Sequence, residues 1–146
     1  MSQRLEELAR GLGQLHNNLD DAVEATVRDN QHVLEDMNTA QLAAGLDADG
    51  QPIGPAYAPL TVAIKQLKGQ PTDRVTLRDE GDFYAGVVSQ LSGQSVELVG
   101  TDPKTEDLQF KYGEAILGLS DAHVQEFIDD YVRPDLEEEV RRTLNL

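Results

Sequence analysis

Residues 45–100 decide the fold, and they read GLDADGQPIGPAYAPLTVAIKQLKGQPTDRVTLRDEGDFYAGVVSQLSGQSVELVG. The stretch ends in two short apolar runs, residues 83–91 and 95–99, and the residues that connect them contain Gly93. Two apolar runs joined by a short Gly-containing connection are typical of an antiparallel hairpin. The sequence therefore predicts a small sheet here, to which the flanking helices attach.

A Pro- and Gly-rich segment, residues 45–59, opens the same stretch, and Asp49-Gly50 is its strongest turn signal. Pro-rich extended segments lose little entropy on ordering, and their open backbone groups suit a neighbour's sheet edge. We therefore predict that residues 45–59 project as a loop or arm. The residues in this arm that we expect to contact a neighbouring subunit are Pro52, Ile53 and Tyr57.

Leucine and valine recur at steps of three and four over residues 2–44, a period that predicts a long amphipathic helix. Gly11 and Gly13 each cost roughly 1 kcal/mol relative to alanine inside a helix, so a kink or break is expected near them. A stripe this long exceeds what one small domain covers, and part of it is expected to meet neighbouring subunits. The residues of the stripe proposed for this contact are Leu12, Leu19 and Val27.

Two shorter helices are predicted further along the chain. Pro59 suits the first position of a helix over residues 60–68. Ser120 suits the cap of a C-terminal helix that begins at Asp121, and Pro134 is expected to kink or divide that helix. With 146 residues the chain is predicted to form one domain, residues 1–146. The predicted fold class is α+β, with a long N-terminal helix and a C-terminal helix packed on a small antiparallel β-sheet.

The charge and composition exclude several functions. The formal net charge is -15, from 27 acidic against 12 basic residues, and such a chain repels DNA phosphates. We therefore expect no sequence-specific binding of nucleic acid. The chain has no cysteine, which excludes disulfides and thiolate metal sites. No apolar run approaches the ~18 residues needed to span a bilayer, so no membrane association is predicted.

No motif predicts catalysis or a bound metal. Asp47-Ala48-Asp49-Gly50 is similar to the start of a calcium loop, but Ala58 stands where the twelfth-position glutamate belongs. The three histidines lack metal-ligand spacing, and no serine lies in a Gly-x-Ser-x-Gly elbow. We predict that the protein is not an enzyme and binds no cofactor or metal.

The order of the elements carries a family resemblance. An Asp-Gly turn at Asp49-Gly50 is followed by a short basic segment at residues 61–65. A Thr76-Leu77 step with Gly81 and Phe83 then leads into the sheet, and a strand at residues 96–100 ends in Val-Gly. This arrangement resembles the small phage proteins of the head–tail junction, which are neck, connector or tail-completion subunits.

The resemblance implies a structural virion protein at the neck or tail that is made in the host cytoplasm. It implies a ring of identical subunits that joins the capsid and its portal or adaptor proteins to the tail and surrounds the DNA passage. Acidic side chains on the lumen wall would repel the DNA phosphates and prevent the DNA from binding to the wall. The residues that the resemblance places in the channel are Asp79, Glu80, Asp82 and Glu97.

A second class of function stays open. A small acidic phage protein of this size can also act as a regulator that imitates DNA or inhibits a host factor. In this chain the acidic residues alternate with a strong apolar stripe and a Pro- and Gly-rich segment, which favours assembly over mimicry.

Overall fold

The computed structural model describes residues 3–146 and confirms the α+β fold class, with a long N-terminal helix, a C-terminal helix and a two-stranded antiparallel sheet. The chain forms two compact units. One contains the N-terminal residues up to Asn30 together with Gln125–Leu146, and the other is Gln31–Val124. The helices and strands are α1 (Gln3–Asp29), α2 (Gln31–Ala43), α3 (Pro59–Leu67), α4 (Asp82–Ala85), β1 (Val87–Ser92), β2 (Ser95–Gly100), α5 (Thr105–Tyr112), α6 (Asp121–Phe127) and α7 (Arg133–Leu144).

In the first unit, α1 and α7 pack against each other. Gly11 lies at their contact, where a Cβ atom would be 2.7 Å from the carbonyl oxygen of Thr143. The predicted break near Gly11 or Gly13 is wrong, because α1 continues through both residues. Close packing at Gly11 explains why a poor helix former is present in an unbroken helix.

The N-terminal helix breaks at Asn30 instead. The side-chain amide of Asn30 donates to the carbonyl oxygen of Thr26 at 2.8 Å, and its backbone N–H donates to Val27 O at 3.2 Å. The Asn30 side chain thus takes the carbonyl that its own N–H would bond in a continuous helix. The predicted helix over residues 2–44 is therefore two helices, and its first residue lies outside the described range.

The C-terminal helix, for which the sequence predicts a kink or division at Pro134, stays helical there but changes its hydrogen-bond pattern just before this residue. A π-helical turn, Ile128–Val132, separates α6 from α7, and Pro134 lies in the first turn of α7. No non-helical residue separates the three elements, and a π-helical turn is a common way for a helix to accommodate an interruption of its i→i−4 hydrogen bonds, which proline causes because it has no N–H.

The hairpin of the second unit pairs β1 with β2 in an antiparallel register that sets Ser89 opposite Leu98. The predicted first strand, residues 83–91, is wrong at its start, because residues 82–85 form the helical turn α4. Phe83 is only 3% exposed and needs this turn to reach the core. Helix α5 follows β2 in a polar stretch for which the sequence analysis predicts no helix.

The core of this unit is an apolar cluster that joins α2, the loops on either side of α3, α4 and the turn after α5. Its buried members are Leu42, Ile53, Val75, Leu77, Phe83 and Ile116. Side chains of α2 also hold β1. The carboxylate of Glu35 accepts from the backbone N–H of Ser89 at 2.6 Å, and the amide of Gln31 donates to Ser89 O at 2.9 Å.

Candidate subunit interface

Helix α3 buries its charged residue and exposes its large apolar ones. Lys65 is 7% exposed, whereas Leu60, Ile64 and Leu67 are 72%, 45% and 90% exposed. Steps of four and three residues place these three side chains on one side of a helix with 3.6 residues per turn, and Lys65 on the opposite side. We call the surface formed by Leu60, Ile64 and Leu67 the α3 face.

The contacts of Lys65 explain this orientation. Its ammonium group donates to the carbonyl oxygen of Arg78 at 2.9 Å and to the side-chain oxygen of Gln70 at 3.4 Å. It also lies 4.8 Å from the centroid of the Tyr57 ring. A buried cation is tolerated only where hydrogen bonds or an aromatic face replace its hydration. These partners hold one side of α3 inward, so the α3 face lies outward.

The hydroxyl of Tyr57 connects the buried side of α3 to the loop before α4. It accepts the backbone N–H groups of Thr76 at 2.9 Å and Leu77 at 3.2 Å. Burial raises the pKa of Tyr57, but these hydrogen bonds and the charge of Lys65 outweigh that effect, so the pKa lies below its ordinary value. Leu77 has a positive φ of 58°, a strained conformation for leucine that these side-chain contacts help to hold.

A second tyrosine, Tyr84, also binds the backbone of this loop. The hydroxyl of Tyr84 donates to the carbonyl oxygen of Thr76 at 2.5 Å. Burial raises the pKa of Tyr84 to about 12. Two tyrosines from separate segments therefore bond the two backbone groups of Thr76, which otherwise have no strand partner.

The C-terminal end of α3 is tied to the same loop by an ion pair. Lys68 Nζ lies 2.7 Å from the carboxylate of Asp79, and Gln70 donates to the carbonyl oxygen of Asp79 at 2.9 Å. The ion pair raises the pKa of Lys68 and lowers that of Asp79. The helix is therefore held by polar contacts along its inner side and at its end, while its apolar side stays in solvent.

The interface residues predicted from the sequence lie in different surroundings. Leu12 is 61% exposed on α1, Leu19 and Val27 are half-buried, and Pro52 is exposed. Ile53 is 6% exposed, and its assignment to a subunit interface is wrong because its side chain fills the core. Tyr57 is half-buried, with its ring and hydroxyl used inside the unit.

The first part of the predicted arm is a closed turn. Leu46 and Pro52 form a β-bridge, and the N–H of Ile53 donates to Gly45 O at 2.9 Å. The carboxylate of Asp47 accepts the N–H groups of residues 49 and 51, an Asx-turn that stabilises the chain around Asp49-Gly50. Residues 49–52 are exposed on this turn, and so are residues 54–56 and 58–59, between which the half-buried Tyr57 anchors the segment.

The residues predicted to line a channel all lie in the second unit. Asp79 and Glu80 lie in the loop before α4, Asp82 is the first residue of α4, and Glu97 lies in β2. All four are exposed, but the carboxylate of Asp79 is already bound by Lys68. Within residues 3–146 no group of three or more His, Asp or Glu side chains is placed to hold a metal ion. No helix in that range is long and apolar enough to cross a membrane.

The α3 face itself is absent from the residues predicted as an interface. Its spacing of four and three residues is visible in the sequence, but the same spacing occurs in helices that face a core. No protein-family model matches this chain, and no curated protein or solved structure is significantly similar to it. The interpretation of the α3 face therefore depends on its geometry.

Proposed function

We propose that this protein is a structural subunit of a phage head–tail junction, which assembles without catalysis into a ring between the capsid portal and the tail. The observation that carries the proposal is the α3 face. Burying a leucine side chain contributes roughly 1.5–3 kcal/mol, so three exposed apolar residues on one helix favour association with another protein surface. The order of sequence motifs supports the phage class.

A ring needs two different surfaces on each subunit, because head-to-tail contacts join unlike patches. The α3 face supplies an apolar patch in the second unit. Leu12, which is 61% exposed on α1, supplies an apolar position in the first. An assembly of this kind uses both without requiring a pocket or a reactive group.

The net charge of -15 sets the conditions of assembly. Subunits of like charge repel one another, and salt screens that repulsion over a distance of about 10 Å at 0.1 M. Apolar contact through the α3 face is not weakened by this screening. The oligomer is therefore expected to form more readily as the salt concentration rises.

The test is the mass and shape of the purified protein, measured by size-exclusion chromatography with light scattering and by negative-stain microscopy. Leu67→Asp is compared with Gln66→Asp. Both residues are exposed neighbours in the last turn of α3, so both variants meet the same unfavourable helix dipole. Rings are expected for the unchanged protein and for Gln66→Asp, and smaller species for Leu67→Asp.

Other outcomes would contradict self-assembly or the role of the α3 face. A protein that stays monomeric at every concentration and salt level contradicts self-assembly. If that monomer binds a host polymerase or nuclease, the acidic regulator is the better description. Particles that incorporate Leu67→Asp at normal occupancy contradict the role of the α3 face but not the virion location.

A further inference from the structure

The outer edge of β2 has free backbone groups. Both backbone groups of Ser89 are bonded by α2 side chains, so Ser89 and its partner Leu98 form a non-hydrogen-bonded pair. The pattern alternates along an antiparallel ladder, so the N–H and C=O groups of Val96 and Leu98 face away from β1. Throughout residues 3–146 the structure gives these four groups no hydrogen-bond partner.

An apolar groove of about 510 Å³ runs beside this edge. One wall contains Val96 and Leu98 of β2. The opposite wall is formed by apolar residues from the segment after α5 and from the start of α6, which are Ala115, Leu117, Leu119 and Val124. The groove lies entirely within the second unit.

Side chains of α2 hold the opposite wall in place. Asn38 Oδ1 accepts the N–H of Gly118 at 2.9 Å, and Gln41 Nε2 donates to Gly118 O at 2.9 Å. Asn38 is fully buried, and its amide also donates to the carbonyl oxygen of Ile116 at 3.0 Å. The groove is therefore bounded on one side by a paired strand and on the other by a segment anchored through its backbone.

The charge of the groove indicates the chemistry of its occupant. Among the described residues that line it, the charged ones are Glu97 and Glu114, and both are acidic. A second copy of this chain fits poorly, because β1 and β2 contain no basic residue and each copy has a net charge of -15. An extended segment that alternates apolar and basic residues matches both the apolar walls and the two carboxylates.

We propose that β2 accepts an extended, basic and apolar segment of a different protein as a third strand. The backbone of that segment bonds Val96 and Leu98, its apolar side chains enter the groove, and its Lys or Arg side chains face Glu97 and Glu114. This docking edge is separate from the α3 face. It does not depend on the proposed function, and Leu67→Asp is expected to leave it unchanged.

The probe is a capped peptide of alternating lysine and valine, added to the full chain and followed by calorimetry and amide hydrogen exchange. On binding, the amides of Val96 and Leu98 are expected to exchange more slowly. The amide of Glu97 already faces β1, and its exchange is expected to stay the same. A peptide of alternating glutamate and valine is expected not to bind.

Two variants locate the peptide. Glu97→Lys is expected to weaken binding roughly fivefold, as reversal of a cross-strand ion pair should. Glu80→Lys makes the same charge change outside the groove and is expected to have less than a twofold effect. Val96→Pro removes an N–H that the hairpin does not use, so it is expected to keep the hairpin and abolish binding. Circular dichroism checks that this variant is folded, and Glu97→Lys decides the question if it is not.

Three results overturn the proposal. The first is equal binding of the acidic and basic peptides. The second is binding that leaves the exchange of Val96 and Leu98 unchanged. The third is slower exchange at these two amides that grows with protein concentration in the absence of peptide, which makes a second copy the occupant.

Discussion

The ammonium group of Lys65 lies 4.8 Å from the centre of the Tyr57 ring. Lys65 is on the buried side of α3, whereas Leu60 and Leu67 are on its solvent side. The contact between Lys65 and Tyr57 joins the segment before α3 to the inner side of α3. The hydroxyl of Tyr57 extends the connection to the backbone of Thr76 and Leu77. The orientation of the α3 face therefore depends on polar contacts beneath it.

Replacing Lys65 is expected to destabilise the second unit. Lys65→Met removes the hydrogen bond to Arg78 O and the contact with Tyr57, and should lower the free energy of unfolding by about 1–3 kcal/mol. Lys68→Met removes only an exposed ion pair, which water and salt screen, so it should change the free energy of unfolding far less than Lys65→Met does. Urea unfolding followed by circular dichroism measures both. Equal stability of the two variants would show that Lys65 does not hold α3.

The glycines of α1 are expected to respond oppositely to substitution by alanine. Gly11→Ala places a Cβ 2.7 Å from Thr143 O and should destabilise the packing of α1 on α7 by about 1–3 kcal/mol. Gly13→Ala meets no atom within 4 Å and should stabilise α1 by up to about 1 kcal/mol. Thermal unfolding of the two variants gives the sign of each change. Stabilisation by both would mean that α7 does not approach α1 at Gly11.

Tyr57 and Tyr84, which both bond the backbone of Thr76, are expected to ionise at different pH values. Tyr84 has a folded-state pKa of about 12, above the ordinary 10.0. Its contribution to stability is complete below pH 10 and is lost as the pH rises through about 12. Tyr57 has a lowered pKa, so its contribution is present above pH 10.0 and is lost as the pH falls through its folded value.

Absorbance at alkaline pH measures both shifts among the four tyrosines of the chain. Tyr84→Phe should remove the last ionisation, and Tyr57→Phe should remove an early one. In urea all the tyrosines should titrate together. If Tyr84→Phe leaves the last ionisation in place, Tyr84 is not the buried group that causes it.

Charge reversal tests the predicted acidic lumen in phage particles, and it depends on the proposed function. Glu80→Lys with Asp82→Lys should create contacts with DNA phosphates and slow DNA exit, and added salt should relieve the effect. Asp79 is left unchanged because it is paired with Lys68. Glu137→Lys, an exposed acid on α7, is the control. Unchanged exit at low salt would reject the lumen assignment of Glu80 and Asp82 and leave the structural role intact.

Local signals in the sequence predicted much of the fold. The Gly93 connection predicted the hairpin, Pro59 predicted the start of α3, and Pro134 predicted an irregularity in the C-terminal helix, which is a π-helical turn. These residues act through their own backbone preferences, which are the same in any fold. The expectation that Gly11 would interrupt the helix was wrong, because close packing against Thr143 outweighs the low helix propensity of glycine.

The candidate interface was less predictable from the sequence. Ile53 and Leu67 are both apolar and both lie near prolines or turns, yet one is 6% exposed and the other 90%. Residue type does not separate them, because apolar residues are common on surfaces as well as in cores. Only the packing of the chain around Phe83 assigns Ile53 to the core.

The sequence by itself determined the hairpin, the helix that starts at Pro59, the acidic charge and the Asp49-Gly50 turn, because each depends on composition or on residues close together in the chain. The tertiary structure alone decided which side of α3 faces inward and which edge of the hairpin stays open. Lys65 meets Arg78 across 13 positions, and Glu35 meets Ser89 across 54. Contacts between residues so far apart follow from the packing of the whole unit, and no local pattern encodes them.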